Sequence, residues 1–339
     1  MFGWGRAGVP APQPVDSARS RLVDTSKITL MDASGRGQGE PFTRDDAISA
    51  GLTARQLRSA RFVRLHRNVY LARETPLSLP VRARGLMLVA PPSAVVSHQS
   101  AAVLWGGTVP ESSRVHVTVP RRETLRVEGV RTHQSDRDRA CTTAFGVRVT
   151  TPEQTFVDLA STLDLVQLVV LGDRLVRRER TTPDRLVRAT DAWIGPHRGL
   201  ACRAAALVRS GVDSPPESRL RMLVVLAGLP EPTVNHILRD PHTGAWQRRF
   251  ELAYEELRLA VEYEGRHHLD DEIWAGDIDR REELDRRTWR VVQVINKGLY
   301  ETPLRTLQRL DQARIDRGAA PTRRFADEWK RYFPGHQPG

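Results

Sequence analysis

The chain has 339 residues, of which 40% are hydrophobic and 27% are charged, which is typical of a globular protein with two or three domains. Two cysteines, Cys141 and Cys202, are too few for a disulfide framework or a zinc site, so a reducing compartment is favoured. The apolar stretches 163–171 and 222–229 are far shorter than the ~20 residues of a membrane span, and no signal peptide is recognisable. We therefore expect a cytoplasmic protein without a membrane partner.

The formal charge of +11 is unevenly distributed along the chain. Only three of the 52 basic residues are lysines, a bias that a GC-rich genome explains more simply than selection for phosphate contacts. Residues 41–135 carry 14 arginines against six acidic residues, whereas residues 211–297 carry 13 basic and 17 acidic residues. A basic surface, which attracts nucleic acid, is therefore expected in a different part of the chain from an acidic cluster.

The N-terminal part is predicted to contain a disordered leader at 1–40 and a winged helix-turn-helix DNA-binding domain at 41–75. Thr43 with Asp46 resembles a capping box, and Thr53 is placed to begin a second helix. Residues 62–71 then indicate two short strands that turn at Arg67-Asn68. Arginines recur at every third position and are candidates for phosphate contacts on the second helix and the wing: Arg55, Arg58, Arg61, Arg64 and Arg67.

Two further segments precede the C-terminal domain. Residues 76–150 are predicted to be an α+β extension, with a helix opening at Ser97, a strand through Val115–Val119 and a hairpin over Leu125–His133. Residues 151–211 are predicted to be a helical connector that starts at Thr151-Pro152-Glu153. His98 and His116 in the extension are interpreted as structural.

The C-terminal domain, 212–316, is predicted to follow the order α-β-β-α-β-α, with a tail at 317–339. Its first helix begins at Ser214-Pro215-Pro216-Glu217, and a charged helix covers about 270–287. In the strand pair between them, alternation places Glu251, Glu262 and Glu264 opposite an apolar face. If the turn is Glu255-Glu256, then Tyr254 pairs with Leu257, Glu251 with Ala260, and Arg249 with Glu262. The carboxylates could then share one hard cation, although such a face also suits a solvated surface.

These motifs resemble those of the PD-(D/E)XK superfamily, and in particular bacterial domains related to very-short-patch-repair endonucleases. The likeness covers about 212–312 and rests on Glu217, on Phe250-Glu251-Leu252-Ala253 and on Val261-Glu262-Tyr263-Glu264-Gly265 followed by Arg266-His267-His268. It implies that Glu251 and Glu262 bind Mg²⁺ or Mn²⁺, that Glu264 positions the nucleophile and that Glu217 is an outer carboxylate. It also implies catalytic duty for His267 and His268. Glu251 stands where aspartate is usual, and Glu264 replaces the lysine of the motif.

The N-terminal part resembles AbiEi-type antitoxins of abortive-infection systems, whose winged helix binds DNA and represses their own operon. The likeness rests on Phe42-Thr43-Arg44, Gly51-Leu52-Thr53, the run 64–70 and the run 97–102. A winged helix of this kind can also serve protein contacts alone.

The sequence therefore predicts an α+β multidomain protein with a winged helix-turn-helix domain, a helical connector and a restriction-endonuclease-like mixed α/β domain. The expected function is a Mg²⁺-dependent endonuclease acting on double-stranded DNA in phage defence or repair. The alternatives are a non-catalytic, AbiEi-like regulator with a degenerate nuclease fold, and an antitoxin that contacts a cognate toxin protein.

Overall fold

The computed structural model describes residues 39–240, 242–265 and 289–335, a mixed α+β protein that forms two compact units. The first unit comprises residues up to Leu104 together with Ser112–Thr151, and the second comprises Trp105–Glu111 and the chain from Pro152 onward. None of the helices in these ranges is long and apolar enough to cross a membrane. The predicted leader, the charged helix at 270–287 and the pair His267 and His268 fall mainly or wholly outside the described residues.

The first unit begins with two short helices and a three-stranded sheet of order β1-β3-β2. The elements are β1 (Phe42–Thr43), α1 (Arg44–Ser49), α2 (Ala54–Leu57), β2 (Phe62–His66) and β3 (Val69–Ala72). The capping box at Thr43 is confirmed, because the hydroxyl of Thr43 accepts from the N–H of Asp46 at 3.1 Å, and Thr53 caps α2 in the same way. The two helices and the β2–β3 hairpin follow the predicted order, whereas β1 was not predicted, and membership of the winged-helix family stays a prediction.

The rest of the first unit is a five-stranded sheet of order β6-β5-β4-β8-β7 with two helices. The elements are α3 (Leu79–Met87), β4 (Val95–Val96), α4 (His98–Leu104), β5 (Val115–Val119), β6 (Val130–Gln134), β7 (Cys141–Ala144) and β8 (Val147–Thr150). The predicted hairpin over Leu125–His133 is wrong, since β6 runs parallel to β5 and pairs Val115 with Val130. A parallel pair needs a crossover, which residues 121–129 provide.

The second unit contains a helical layer followed by a four-stranded sheet of order β12-β11-β10-β9. Its helices are α5 (Pro152–Leu159), α6 (Leu165–Arg177), α7 (Pro183–Ala192), α8 (Arg198–Leu207), α9 (Pro215–Leu226), α10 (Asn296–Tyr300) and α11 (Pro303–Ile315). Its strands are β9 (Thr233–Arg239), β10 (Trp246–Tyr254), β11 (Leu259–Glu264) and β12 (Arg290–Ile295). β9 was not predicted. β12 lies parallel to β11, and the other neighbours are antiparallel.

A buried ion pair connects α6 to α9. The guanidinium of Arg221 lies 3.0 Å from the carboxylate of Asp173, and both side chains are at most 1% exposed. Asp173 also accepts from the hydroxyl of Ser218 and from the backbone N–H of Arg209, each at 2.8 Å. Arg221 further donates to Glu231 at 2.8 Å. Both charges therefore have several hydrogen-bond partners, which a buried pair needs in order to be tolerated, while Nε of Arg221 has no partner among the described residues.

We expect Arg221→Ala to destabilise the protein by about 3–5 kcal/mol, because it leaves Asp173 buried without its partner charge. Urea unfolding of the full chain, followed by circular dichroism, measures the change. Arg209→Ala is the matched control, since Arg209 pairs with Glu231 near the surface and its loss should cost less than about 1 kcal/mol. Equal effects of the two substitutions would contradict a central role for the buried pair.

Candidate functional site

The β10–β11 hairpin has a register different from the predicted one. Tyr254 pairs with Leu259, and the next two pairs are Ala253 with Ala260 and Leu252 with Val261. The predicted pairs of Tyr254 with Leu257, Glu251 with Ala260 and Arg249 with Glu262 are therefore wrong. The turn holds four residues, 255–258, and ends on Arg258 in the left-handed region at φ 48°. A turn longer by two residues keeps the alternation of faces where the strands pair, but Phe250 packs in one cluster with Ala253 and Ala260, so the predicted face shared by Phe250, Leu252 and Tyr254 is wrong at Phe250.

Glu251 occupies an unusual place in this hairpin. Among the described residues, the pairing of β10 with β11 ends at Leu252 and Val261. Beyond that point the carboxylate of Glu251 accepts a hydrogen bond from the backbone N–H of Tyr263 at 2.7 Å. Its side chain therefore satisfies a donor of the neighbouring strand where the ladder has ended.

The electrostatic surroundings of Glu251 favour its neutral form. Burial raises the pKa of Glu251 to about 8, and the nearby charges of Glu217, Glu262 and Glu264 act in the same direction. The N–H of Tyr263 opposes this pKa shift by stabilising the ionised form. Glu217, Glu262 and Glu264 therefore lie within electrostatic reach of Glu251.

Glu217 is fixed by the start of α9. Ser214 caps this helix as predicted, with its hydroxyl accepting from the backbone N–H of Glu217 at 3.4 Å. The carboxylate of Glu217 accepts from the backbone N–H of Asp213 at 3.1 Å, and the residue is only 4% exposed. Burial raises the pKa of Glu217 above its ordinary value.

Glu262 and Glu264 complete the carboxylate cluster, by which we mean Glu217, Glu251, Glu262 and Glu264. The Glu262 side chain is 17% exposed and accepts from the guanidinium of Arg248 at 2.7 Å. Glu264 is half-buried at the end of β11, beside Ile295 of β12. The neighbouring Arg249 forms an ion pair with Asp213. The cluster thus draws acids from α9, β10 and β11 and is bordered by two arginines of β10.

The donor set of the cluster consists of carboxylate oxygens, the ligands that Mg²⁺ and Mn²⁺ prefer. Within 39–240, 242–265 and 289–335, no three His, Cys, Asp or Glu side chains are already gathered as a metal-binding group. Binding an ion here therefore requires Glu251 to release its proton and the side chains to converge further.

The five candidate arginines of the first unit form an exposed group, here called the arginine row. Arg55 lies in α2, Arg64 in β2, and Arg67 in the turn before β3, while Arg58 and Arg61 lie between α2 and β2. In the described part of the chain, none of the five has a carboxylate within ion-pair distance. Arg55, Arg64 and Arg67 therefore lie on the predicted helix and hairpin, whereas Arg58 and Arg61 lie outside both because α2 ends at Leu57.

Sequence reasoning missed two groups of residues. Arg248 was treated only as part of a strand, because an ion pair across a sheet leaves no motif. Three histidines of the first unit also meet: His98 stacks on His133 with ring centres 3.5 Å apart, and His116 Nδ1 lies 3.1 Å from His133 Nε2. Burial lowers the pKa of His98 to about 2 and the pKa values of His116 and His133 to about 4. These rings are therefore neutral at pH 7, as packed structural groups.

Neither a comparison with models of known protein families nor a search of curated proteins finds a match to this chain. The resemblances to nucleases and antitoxins consequently rest on the motifs of this sequence, and the chemistry of the site must be argued from its geometry.

We expect the contribution of Glu251 to the stability of the metal-free protein to fall as the pH rises from about 5 to about 8. The folded state raises the pKa of Glu251 above its unfolded value, so in this window this group binds more protons in the folded state than in the unfolded state, and its ionisation favours unfolding. Glu251→Gln removes this effect and should be more stable than the wild type by roughly 2 kcal/mol at pH 9, allowing for partial solvent access.

Urea unfolding between pH 5 and pH 9 with a chelator present measures the difference. Glu256→Gln, in the exposed turn of the same hairpin, is the control and should leave the pH dependence unchanged. A constant difference between Glu251→Gln and the wild type at every pH would contradict a raised pKa.

Proposed function

We propose that this protein is a Mg²⁺- or Mn²⁺-dependent DNA endonuclease of the PD-(D/E)XK type, acting in phage defence or repair. The observation that carries the proposal is the partly buried carboxylate of Glu251, with three further acids near it. Burying acids near one another costs folding free energy, and a hairpin with a purely structural role does not need acids at these positions. Clusters with perturbed pKa values are typical of functional sites.

The roles of the acids follow from their places in the fold and from the resemblance. Glu251 and Glu262 are the residues that would hold the ion, with Glu217 as an outer carboxylate that keeps the helix start close to the site. When bound, Mg²⁺ supplies an activated water and positive charge at the scissile phosphate. Glu264, two residues after Glu262, is assigned the positioning of that water. Catalytic roles for His267 and His268 are proposed from the resemblance alone.

The protein's own backbone prepares Glu251 for this role. The N–H of Tyr263 fixes one carboxylate oxygen at 2.7 Å, which limits the rotamers that Glu251 can adopt. The proton that a pKa of about 8 keeps on Glu251 must leave before the carboxylate becomes a ligand. The proposed enzyme should therefore bind its cation more tightly as the pH rises toward 8.

DNA binding is assigned mainly to the arginine row. Phosphate neutralisation by exposed arginines supplies affinity that does not depend on base sequence, and no acidic residue that the structure describes is in ion-pair contact with the row. The same observation favours the second candidate function, a non-catalytic DNA-binding regulator of the AbiEi type. A third possibility is an antitoxin that contacts a cognate toxin protein and uses the arginine row only to regulate its own operon.

Cleavage assays separate the enzyme from the regulator. Supercoiled plasmid and mismatched duplexes are incubated with the full chain in Mg²⁺ or Mn²⁺. We expect nicking by the wild type and a loss of at least about 100-fold in Glu262→Ala, because a ligand of the ion is removed. Glu256→Ala is the control and should nick at the wild-type rate. Absence of nicking by the wild type, or equal nicking by Glu262→Ala, rejects the enzyme and leaves the regulator.

DNA affinity tests the arginine row. We expect the double variant Arg58→Ala, Arg64→Ala to bind duplex about 10-fold more weakly, with a salt dependence reduced by about two phosphate contacts. Fluorescence anisotropy at several salt concentrations measures both quantities. Arg180→Ala, Arg188→Ala removes two exposed arginines of the second unit as a control. If both double variants bind equally, the DNA contact lies elsewhere.

A further inference from the structure

Arg248 is held in one position by contacts on two sides. Its Nη2 lies 2.7 Å from Oε2 of Glu262, and its guanidinium carbon lies 5.1 Å from the centre of the Phe250 ring. Phe250 is fully buried and stacks on Trp289 with ring centres 4.7 Å apart. A guanidinium that binds a carboxylate and contacts an aromatic ring has lost much of its conformational freedom. The side chain is nevertheless 24% exposed, so a ligand can still reach it.

The charges around the carboxylate cluster suggest a function for the fixed position of Arg248. Arg249, the other arginine of β10 at this site, is engaged by Asp213, whereas Arg248 contacts a member of the carboxylate cluster itself. A DNA strand brings further negative charge toward acids that already repel one another. An approaching phosphodiester therefore needs a fixed positive charge beside the acids.

We infer that Arg248 is a phosphate-binding residue of the carboxylate site, with a phosphodiester of duplex DNA as its ligand. Arg248 supplies at this site the positive charge that Glu264 cannot provide. It also holds Glu262 in place until DNA arrives. This inference rests on the proposed function for its ligand, but DNA binding tests it separately from cleavage.

The test uses the full chain in which Arg58→Ala and Arg64→Ala weaken the arginine row, with Ca²⁺ present to avoid cleavage. On this background we expect Arg248→Ala to weaken duplex binding about 5- to 10-fold and to lower the salt slope by about 0.9, the loss of one phosphate contact. Arg248→Lys keeps the charge and should recover most of the slope. Arg290→Ala is the control, since Arg290 lies on the same sheet in an exposed pair with Asp316 and should change neither quantity.

Unchanged affinity and slope in Arg248→Ala would overturn the inference. So would equal losses in Arg248→Ala and Arg248→Lys, because a structural role does not depend on retaining the charge. Thermal melting of each variant identifies any loss that comes from misfolding. Single-turnover cleavage in Mn²⁺ is measured in parallel on an otherwise unmodified arginine row. A wild type that does not cleave rejects the proposed nuclease, while the binding measurements still decide the role of Arg248.

Discussion

The buried pair of Asp173 and Arg221 determines where the carboxylate site can form. It fixes α9 to α6 from inside the second unit, and Glu217 lies one helical turn before Arg221 on the same helix. Asp173 also binds the backbone N–H of Arg209, close to the loop that leads to Ser214 and the helix start. A single internal anion therefore sets both the axis of α9 and the loop at its N-terminus, and through them the place of Glu217.

The sheet constrains the site in a second way. Contacts on β10 and β11 hold acidic side chains close together although these side chains repel one another. Glu251 takes a hydrogen bond that a backbone carbonyl normally accepts, and Glu262 is bound by Arg248. Each contact restricts a side chain that would otherwise turn toward water. Burial, together with the repulsion between these acids, raises the pKa of Glu251, and a cation or a proton relieves the repulsion. The clustered acids thus lower the folding stability locally, and they form an anionic site before any ligand binds. This is usual where function opposes stability.

Local signals in the sequence were sufficient for the helix starts at Thr43, Thr53 and Ser214, because a capping residue acts on the backbone of its own neighbours. The strand register was not predictable from the same signals, since the turn at 255–258 carries no glycine or asparagine to mark it. The parallel pairing of β6 depends on residues far apart in sequence. The contact of Arg248 with Glu262 joins two strands through side chains alone, and the periodicity of the sequence does not indicate such a contact.

The two groups of arginines differ in what surrounds them, and this difference separates their roles. The arginine row is exposed and pairs with no acid within 39–240, 242–265 and 289–335, so the proposed contact with phosphates would act through long-range attraction that salt screens. Arg248 is partly buried and already paired, so it gains little from long-range attraction and acts only on a phosphate that reaches Glu262. In general a guanidinium keeps its charge in a partly buried place, whereas a buried lysine amine loses its charge more readily. An arginine is therefore the cation best suited to bind a phosphate beside Glu262.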